Sequence, residues 1–496
     1  MSPQPPLVIG SVPLTLDAVE RVARHAAPVI LDPSARARVA AARAVVDRLV
    51  EERVPAYGIT TGVGSQKDFA VDPAAIAAYN PRLITAHATC APGETAPADV
   101  VRGALLIQLA LYATGRSGIR PITVDSLLAR LNANDLPGAK LGSSVGASDI
   151  VAMSQLAVPL IGRAGIGPGG AGPQPLDGLF AKEALSLMNS NALTLSQGAL
   201  ALADARRLLD AATLVAALTL EGFRGNPGAW SDTVHQARGQ AGQIATGARL
   251  LAALADSALW QPGTSRFLQD PLSFRCVPQI NGAAAAALDW AEGIWTQELA
   301  AICDNPMIDL PTGRVISHGN METTLLAVAL DALRLSFAKM IEAAGERIHK
   351  LQWPAFSGLP TGLAAEGGAV GGVQFLNLGH IGAAALGAVL QRAHPATLGF
   401  RGQVDDGVED VAGNAPVAVG ETVQLLRAAW TVVTAEAVCA AWAIHRRGLD
   451  PARLGAGVQP LYAHLLPALP IGREGTAIFD LAAVAERLEA YWGGGR

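Results

Sequence analysis

The chain has 496 residues, 37 Lys and Arg against 42 Asp and Glu, and a formal net charge of −5. That balance excludes the basic surface a nucleic-acid or anionic-membrane binder needs. Half the residues are apolar and 16% are charged, below the usual quarter, so much of the chain has to be buried in a packed interior or in subunit contacts. Cys90, Cys276, Cys303 and Cys439 form no C-x-x-C pair, which points to buried free thiols and away from a disulfide framework or a zinc knuckle.

Asp17, Glu20, Arg21 and Arg24 interrupt the first thirty residues as no secretory h-region would allow. Apolar residues recur at three and four from Leu14 to Val50, until the chain breaks at Pro55. A Gly- and Thr-rich loop follows, Tyr57-Gly58-Ile59-Thr60-Thr61-Gly62-Val63-Gly64. Helices are expected over 97–116 and 122–133, and the small-residue stretch Gly142 to Asp149 opens the next. The turn-rich tract Gly162 to Gly178 is where any short strands would sit.

Long apolar-periodic runs follow at roughly 194–222, 281–302, 322–351, 370–392 and 417–447. Long helices facing one another through Ala and Gly predict a mostly α fold, a long antiparallel bundle behind a smaller N-terminal mixed helical and loop domain. The expected division is 1–193, carrying the Tyr57 loop, and 194–496, the bundle. Gln374, Asn377, His380 and Glu436 within the most apolar stretches argue against bilayer spans, and the expectation is a cytoplasmic protein with no nucleic-acid or membrane partner.

The sequence has no Walker loop, no G-x-G-x-x-G after a strand and no H-E-x-x-H, and its nine histidines lack metal-ligand spacing, so no metal is expected. Polar segments do interrupt the apolar runs: Tyr57 in its loop, His87, the Gly142 to Asp149 turn, Asn189, Arg275-Cys276-Val277-Pro278-Gln279, Asp304-Asn305-Pro306 and Val408-Glu409-Asp410. They supply a phenol able to act as a base, an arginine suited to a bidentate carboxylate, amides, and a carboxylate able to grip a basic ring. Together they suggest a site for an amino acid.

In this order, Tyr57-Gly58-Ile59-Thr60-Thr61-Gly62, Gly146-Ala147-Ser148, Leu187-Met188-Asn189, Gln269-Asp270-Pro271, Arg275-Cys276-x-Pro278-Gln279, Asp304-Asn305-Pro306 and Glu409-Asp410 resemble the aromatic amino acid lyase family, and most of all its histidine ammonia-lyases. The resemblance runs from about residue 10 to 480. It implies a helical homotetramer with active sites shared between subunits, which removes an amine and a β-proton from a small amino-acid-like substrate. It also implies roles: Tyr57 takes the β-proton, Arg275 holds the carboxylate, Asn189 and Gln279 line the electrophile's side, Asn305 contacts the substrate, and His87 with Glu409 recognises an imidazole-like ring. Such enzymes cyclise an Ala-Ser-Gly triplet to a methylidene-imidazolone (MIO), which captures the substrate amine.

Here the triplet is damaged. The chain reads Ala147-Ser148-Asp149-Ile150, and keeping Asp149 and Ile150 in step with the family requires one glycine to be missing. Asp149's amide is then left to attempt the ring closure through backbone angles that a side chain disfavours. Leu272 stands where the family has a tyrosine. The expectation is therefore no cofactor, and an amine that leaves unaided, such as trimethylamine from a betaine, as in the relatives called ergothionases. Ser148 and Asp149 would then serve as an ordinary helix N-cap. An ordinary histidine ammonia-lyase or aminomutase with an atypical MIO, and a catalytically silent binding homologue, are the alternatives. His318 and His380 receive no role.

Overall fold

The computed structural model describes residues 5–166, 173–364, 375–399, 403–472 and 478–493. Strands and helices follow in the order β1 (Leu7–Ile9), α1 (Leu16–His25), β2 (Val29–Leu31), α2 (Pro33–Glu51), α3 (Ile76–His87), α4 (Ala98–Ala113), α5 (Pro121–Asn132), α6 (Ile150–Ala157), α7 (Glu183–Met188) and α8 (Ala192–Phe223). Beyond these lie α9 (Asp232–Arg238), α10 (Ala241–Ala253), α11 (Leu272–Arg275), α12 (Val277–Glu298), β3 (Met307–Asp309), β4 (Arg314–Ile316), α13 (Thr324–Gln352), α14 (Pro354–Ser357), α15 (Leu376–Arg392), α16 (Ala415–Arg446), α17 (Val458–Leu465) and α18 (Leu481–Tyr491). The fold is mostly α, and the five long runs read from the sequence fall on α8, α12, α13, α15 and α16. Residues 370–374 of the fourth run, and 167–172 of the turn-rich tract, lie outside the described residues.

Residues 1–203, 292–329 and 395–420 form one compact unit, and 204–291, 330–394 and 421–496 form a second. The expected division at 193/194 is thus replaced by an interleaved one, because the chain returns twice to the first unit.

In the first unit the apolar run from Leu14 breaks into two helices. Thr15 caps α1 by accepting from the Ala18 amide, and Ala26 ends it in the left-handed region at φ 50°. Asp32 accepts from Ser34 and, with Pro33 behind it, starts α2. Between them β2 pairs in parallel with β1, Leu7 opposite Val29 and Ile9 opposite Leu31. The second pair, β3 with β4, is antiparallel. No named strand falls in the tract from Gly162 to Gly178 among the described residues, where only Ile166 makes an isolated bridge to Gly138. Ala42, Val46 and Leu49 of α2, Ile59 of the Tyr57 loop, Ile76 of α3, Ala181 and Ile308 of β3 bury one another. Burial of Ile59 in that cluster fixes the loop that presents Tyr57.

In the second unit, helices approach closely at small residues: a Cβ added to Gly222 of α8 would stand 2.7 Å from the Ala440 carbonyl oxygen of α16. Glu436 of α16 is fully buried and accepts from Arg347 Nε at 2.6 Å, Arg347 Nη2 at 2.9 Å and the Thr219 hydroxyl at 2.7 Å. Among the described residues α16 is the one helix long and apolar enough to cross a membrane, and 83% of its most apolar window is buried inside the fold. All four cysteines are free, but only Cys303 and Cys439 are buried, and burial pushes their thiols up to about 12. Cys90 is exposed and Cys276 half-buried, so the expectation of four buried thiols holds for two.

Candidate active site

Tyr57 sits in a turn closed by Thr60, whose hydroxyl accepts from the Ala56 amide at 2.8 Å and donates to the Val54 carbonyl at 2.7 Å. The Tyr57 phenol oxygen accepts from the Gly64 amide at 3.0 Å. Gly64 has φ +54°, and a Cβ there would collide with the carboxylate of Asp405, so only glycine serves. Asp405 Oδ1 also accepts from the Ser65 amide at 3.1 Å. Asp405 belongs to a tight loop in which Val404 pairs with Glu409, the Val404 amide donating to the Glu409 carbonyl at 3.0 Å. The first unit therefore brings Tyr57 and Glu409 together through a residue that the sequence marks only as part of an acidic loop.

Burial holds the Tyr57 phenol above its usual range, Asp405 and Glu409 push the same way, and the Gly64 amide and Lys67 oppose them. Glu409 is itself raised, by burial first and Asp405 second. Tyr79 of α3 adds a second phenol, raised by burial and then by Tyr57, with the Val63 backbone amide opposing them.

His87 closes the last turn of α3, where its Nδ1 lies 2.8 Å from the Leu83 carbonyl. A carbonyl only accepts, so Nδ1 is the donor in this contact. No hydrogen bond among the described residues joins His87 to Tyr57 or Glu409.

Around the triplet the structure corrects the N-cap reading. Ser148 stands at φ +74°, its amide donates to Asn191 Oδ1 at 3.0 Å, and its hydroxyl donates to Asn189 Oδ1 at 2.7 Å. Asp149 occupies the N-cap position of α6 without capping it. Its carboxylate accepts from the Thr194 amide at 2.8 Å and the Thr194 hydroxyl at 2.7 Å, so it serves the first turn of α8; burial raises its pKa and these hydrogen bonds oppose that. The Asp149 amide, the nitrogen that ring closure would require, donates to the Ser190 carbonyl at 2.8 Å, and the residue is fully buried. Asp149 is thus held at both backbone and side chain. Asp149→Ala would leave the Thr194 donors buried and unpaired, and should cost about 2 kcal/mol in denaturant titrations.

Asn189 Nδ2 donates to the Asn305 carbonyl at 2.7 Å, and Asn305 Oδ1 accepts from the His318 amide at 2.8 Å and from the Ser317 hydroxyl at 3.2 Å. His318 holds the same loop: its Nδ1 accepts from the Asn320 amide, so Nε2 carries the proton and donates to the Asp304 carbonyl at 3.1 Å. Below it, Lys182 Nζ meets Asp304 Oδ1 at 2.8 Å, both side chains wholly buried. The signal for this pair was present, as a lysine followed by an apolar helix and an aspartate beside Asn305, but nothing in the sequence joins them.

Arg275 and Gln279 lie in the second unit. With its carboxamide oxygen turned inward, Gln269 accepts from Arg275 Nη1 at 3.0 Å and Nη2 at 3.1 Å. Arg275 has no acidic partner among the described residues; its Nε and the Gln279 Oε1 are buried and without a hydrogen-bond partner. Leu272 is exposed on α11, and His380 falls within α15 with no hydrogen bond among the described residues. No group of three or more His, Cys, Asp or Glu side chains among the described residues could hold a metal ion.

The first unit of this helical fold thus holds a phenol beside a glutamate, and an amide-rich turn around Ser148. The model of the aromatic amino acid lyase family matches residues 14–466, and the chain belongs to that family. A histidine ammonia-lyase of Symbiobacterium thermophilum is 35% identical over 95% of this chain and 94% of its own, and one of Deinococcus radiodurans is 36% identical over 92% and 88%. Among solved structures, an ergothionase of Treponema denticola, described as degrading ergothioneine and bound to desmethyl-ergothioneine sulfonic acid, superposes with a TM-score of 0.89 at 27% identity, over 98% of each chain. A histidine ammonia-lyase of Trypanosoma cruzi gives 0.88 at 26% identity, over 99% and 94%. The chain is thus a carbon–nitrogen lyase of the histidine ammonia-lyase type.

Proposed function

We propose that this lyase eliminates trimethylamine from a histidine-derived betaine and releases a trans urocanate-like acid without an MIO. The observation that carries the reading is Asp149, whose amide is committed to Ser190 and whose carboxylate is committed to Thr194. An electrophile matters when the leaving amine is poor. A quaternary ammonium departs with the C–N electron pair as neutral trimethylamine, so it needs none. Tyr57 takes the β-proton, the Cβ–H electrons form the new double bond, and Arg275 holds the carboxylate. Glu409 and His87 read the ring, while Asn189, Gln279 and Asn305 order the polar wall. Likeness to a structure described as an ergothionase supports this substrate class. A cytoplasmic homotetramer with sites completed by neighbouring subunits is part of the same reading, on the likeness to the family.

The names of the curated relatives favour a second reading, an ordinary histidine ammonia-lyase with an atypical MIO. One experiment separates the two. Purified protein is given histidine, its trimethyl betaine hercynine, or the thiol betaine ergothioneine, while product absorbance and released amine are followed and the intact mass is taken. The expected result is trimethylamine from a betaine, no ammonia from histidine, and a chain at its full genetic mass. Rapid ammonia release from histidine by a chain lighter by two waters would replace the first reading with the second.

A further inference from the structure

We propose that Asp405 is a positioning residue for the elimination, its carboxylate pinning the Tyr57 loop onto the loop that carries Glu409. The inference rests on the function proposed above and names a residue which that reading leaves without a role.

The geometry is specific. One oxygen of Asp405 accepts from the Ser65 amide at 3.1 Å, and the other lies where a side chain on residue 64 would be. The neighbouring amide, Gly64, donates to the Tyr57 oxygen at 3.0 Å. Consecutive backbone amides thus face the phenol and the carboxylate, so a shift of Asp405 moves the donor that orients the base. Four residues on, Glu409 is bridged to Val404, and Asp405 and Asp406 both hold left-handed backbone at φ 53° and 57°. Two successive non-glycine residues in that region are strained, and the Ser65 contact is one of the interactions that offsets this.

Charge is the second part of the role. The groups acting on Tyr57 are Asp405, Glu409 and Lys67, with Tyr79 beside them. Lys67 lies 3.4 Å from the exposed Asp68, which shares its charge. Burial first, and then the Asp405 and Glu409 carboxylates, hold the phenol above its ordinary value.

Asp405→Asn retains an oxygen to accept from Ser65 and removes the charge, whereas Asp405→Ala removes both. Two readouts apply: tyrosinate absorbance against pH without substrate, with Tyr57→Phe identifying the Tyr57 component, and kcat/KM against pH with the betaine. For Asp405→Asn, the Tyr57 titration and the ascending limb of kcat/KM should both move to lower pH, with kcat kept within threefold. For Asp405→Ala, kcat should fall at least tenfold across the whole pH range. If the Asn variant's Tyr57 titration stays at the wild-type position, or the Ala variant keeps wild-type kcat, the proposal is overturned. The titration needs no turnover, so a wrong substrate would silence the kinetics and leave the absorbance test standing.

Discussion

Tyr57→Phe should lower kcat on the active substrate by about 10²–10⁴-fold while substrate binding changes little, because the proposed elimination uses the phenol oxygen as its proton acceptor and the ring's packing survives the substitution. The checks are steady-state kinetics for the loss and calorimetry for the retained binding. Variant turnover near wild type would remove Tyr57 from the chemistry. The pH dependence follows from the direction of its shift. Burial, Asp405 and Glu409 hold the Tyr57 phenol above its ordinary value, so the resting base is protonated at neutral pH. Activity through the free enzyme should accordingly rise with pH.

A quaternary ammonium substrate changes that balance when it binds. It brings a fixed positive charge to a half-buried phenol in a field otherwise set by carboxylates, and an opposite charge within about 4–6 Å favours the ionised form. Unlike an α-amine, that cation keeps its charge at every pH. The ascending limb of kcat, which reports the complex, should therefore lie at lower pH than that of kcat/KM, which reports free enzyme. Coincident limbs would show that the substrate does not supply the missing cation.

What the sequence discloses and what it conceals follows from the range of each interaction. The long helices were readable because each repeats its apolar spacing over many turns, and α8 and α16, at 32 residues each, leave no room for a competing period. The strands were misplaced because each is three residues long, too short for a period of two to register. Helix α3 was missed because Pro81 lies inside it, where a proline ordinarily ends a helix. The site shows the same division. Tyr57, Glu409 and Asn189 stood out as polar residues in apolar surroundings. Asp405 did not, because its partner Ser65 is 340 positions away and a run of acidic residues reads as a solvated loop. Asp149 was recognised as a departure from the triplet, but its partner lies 45 residues on, so an anchor for α8 looked like a cap for α6.

Lys182→Met should destabilise the protein by about 3–5 kcal/mol, since it strips the partner from a carboxylate that stays buried. Lys182 and Asp304 are both wholly inaccessible; the ammonium also donates to Ser186 Oγ at 3.1 Å, and Asp304 Oδ2 has no other partner. Unfolding in denaturant would show a lower midpoint at unchanged slope. The double variant Lys182→Met, Asp304→Leu discards both charges and should recover most of that stability, because the large term is the stranded charge and not the loss of attraction. Recovery of stability need not restore catalysis. Asp304 precedes Asn305, whose carbonyl receives Asn189, which in turn receives the Ser148 hydroxyl. If the ion pair sets that line of amides, the refolded double variant should keep its Tyr57 titration and still lose kcat, whereas wild-type kcat would mean that the pair stabilises the fold alone.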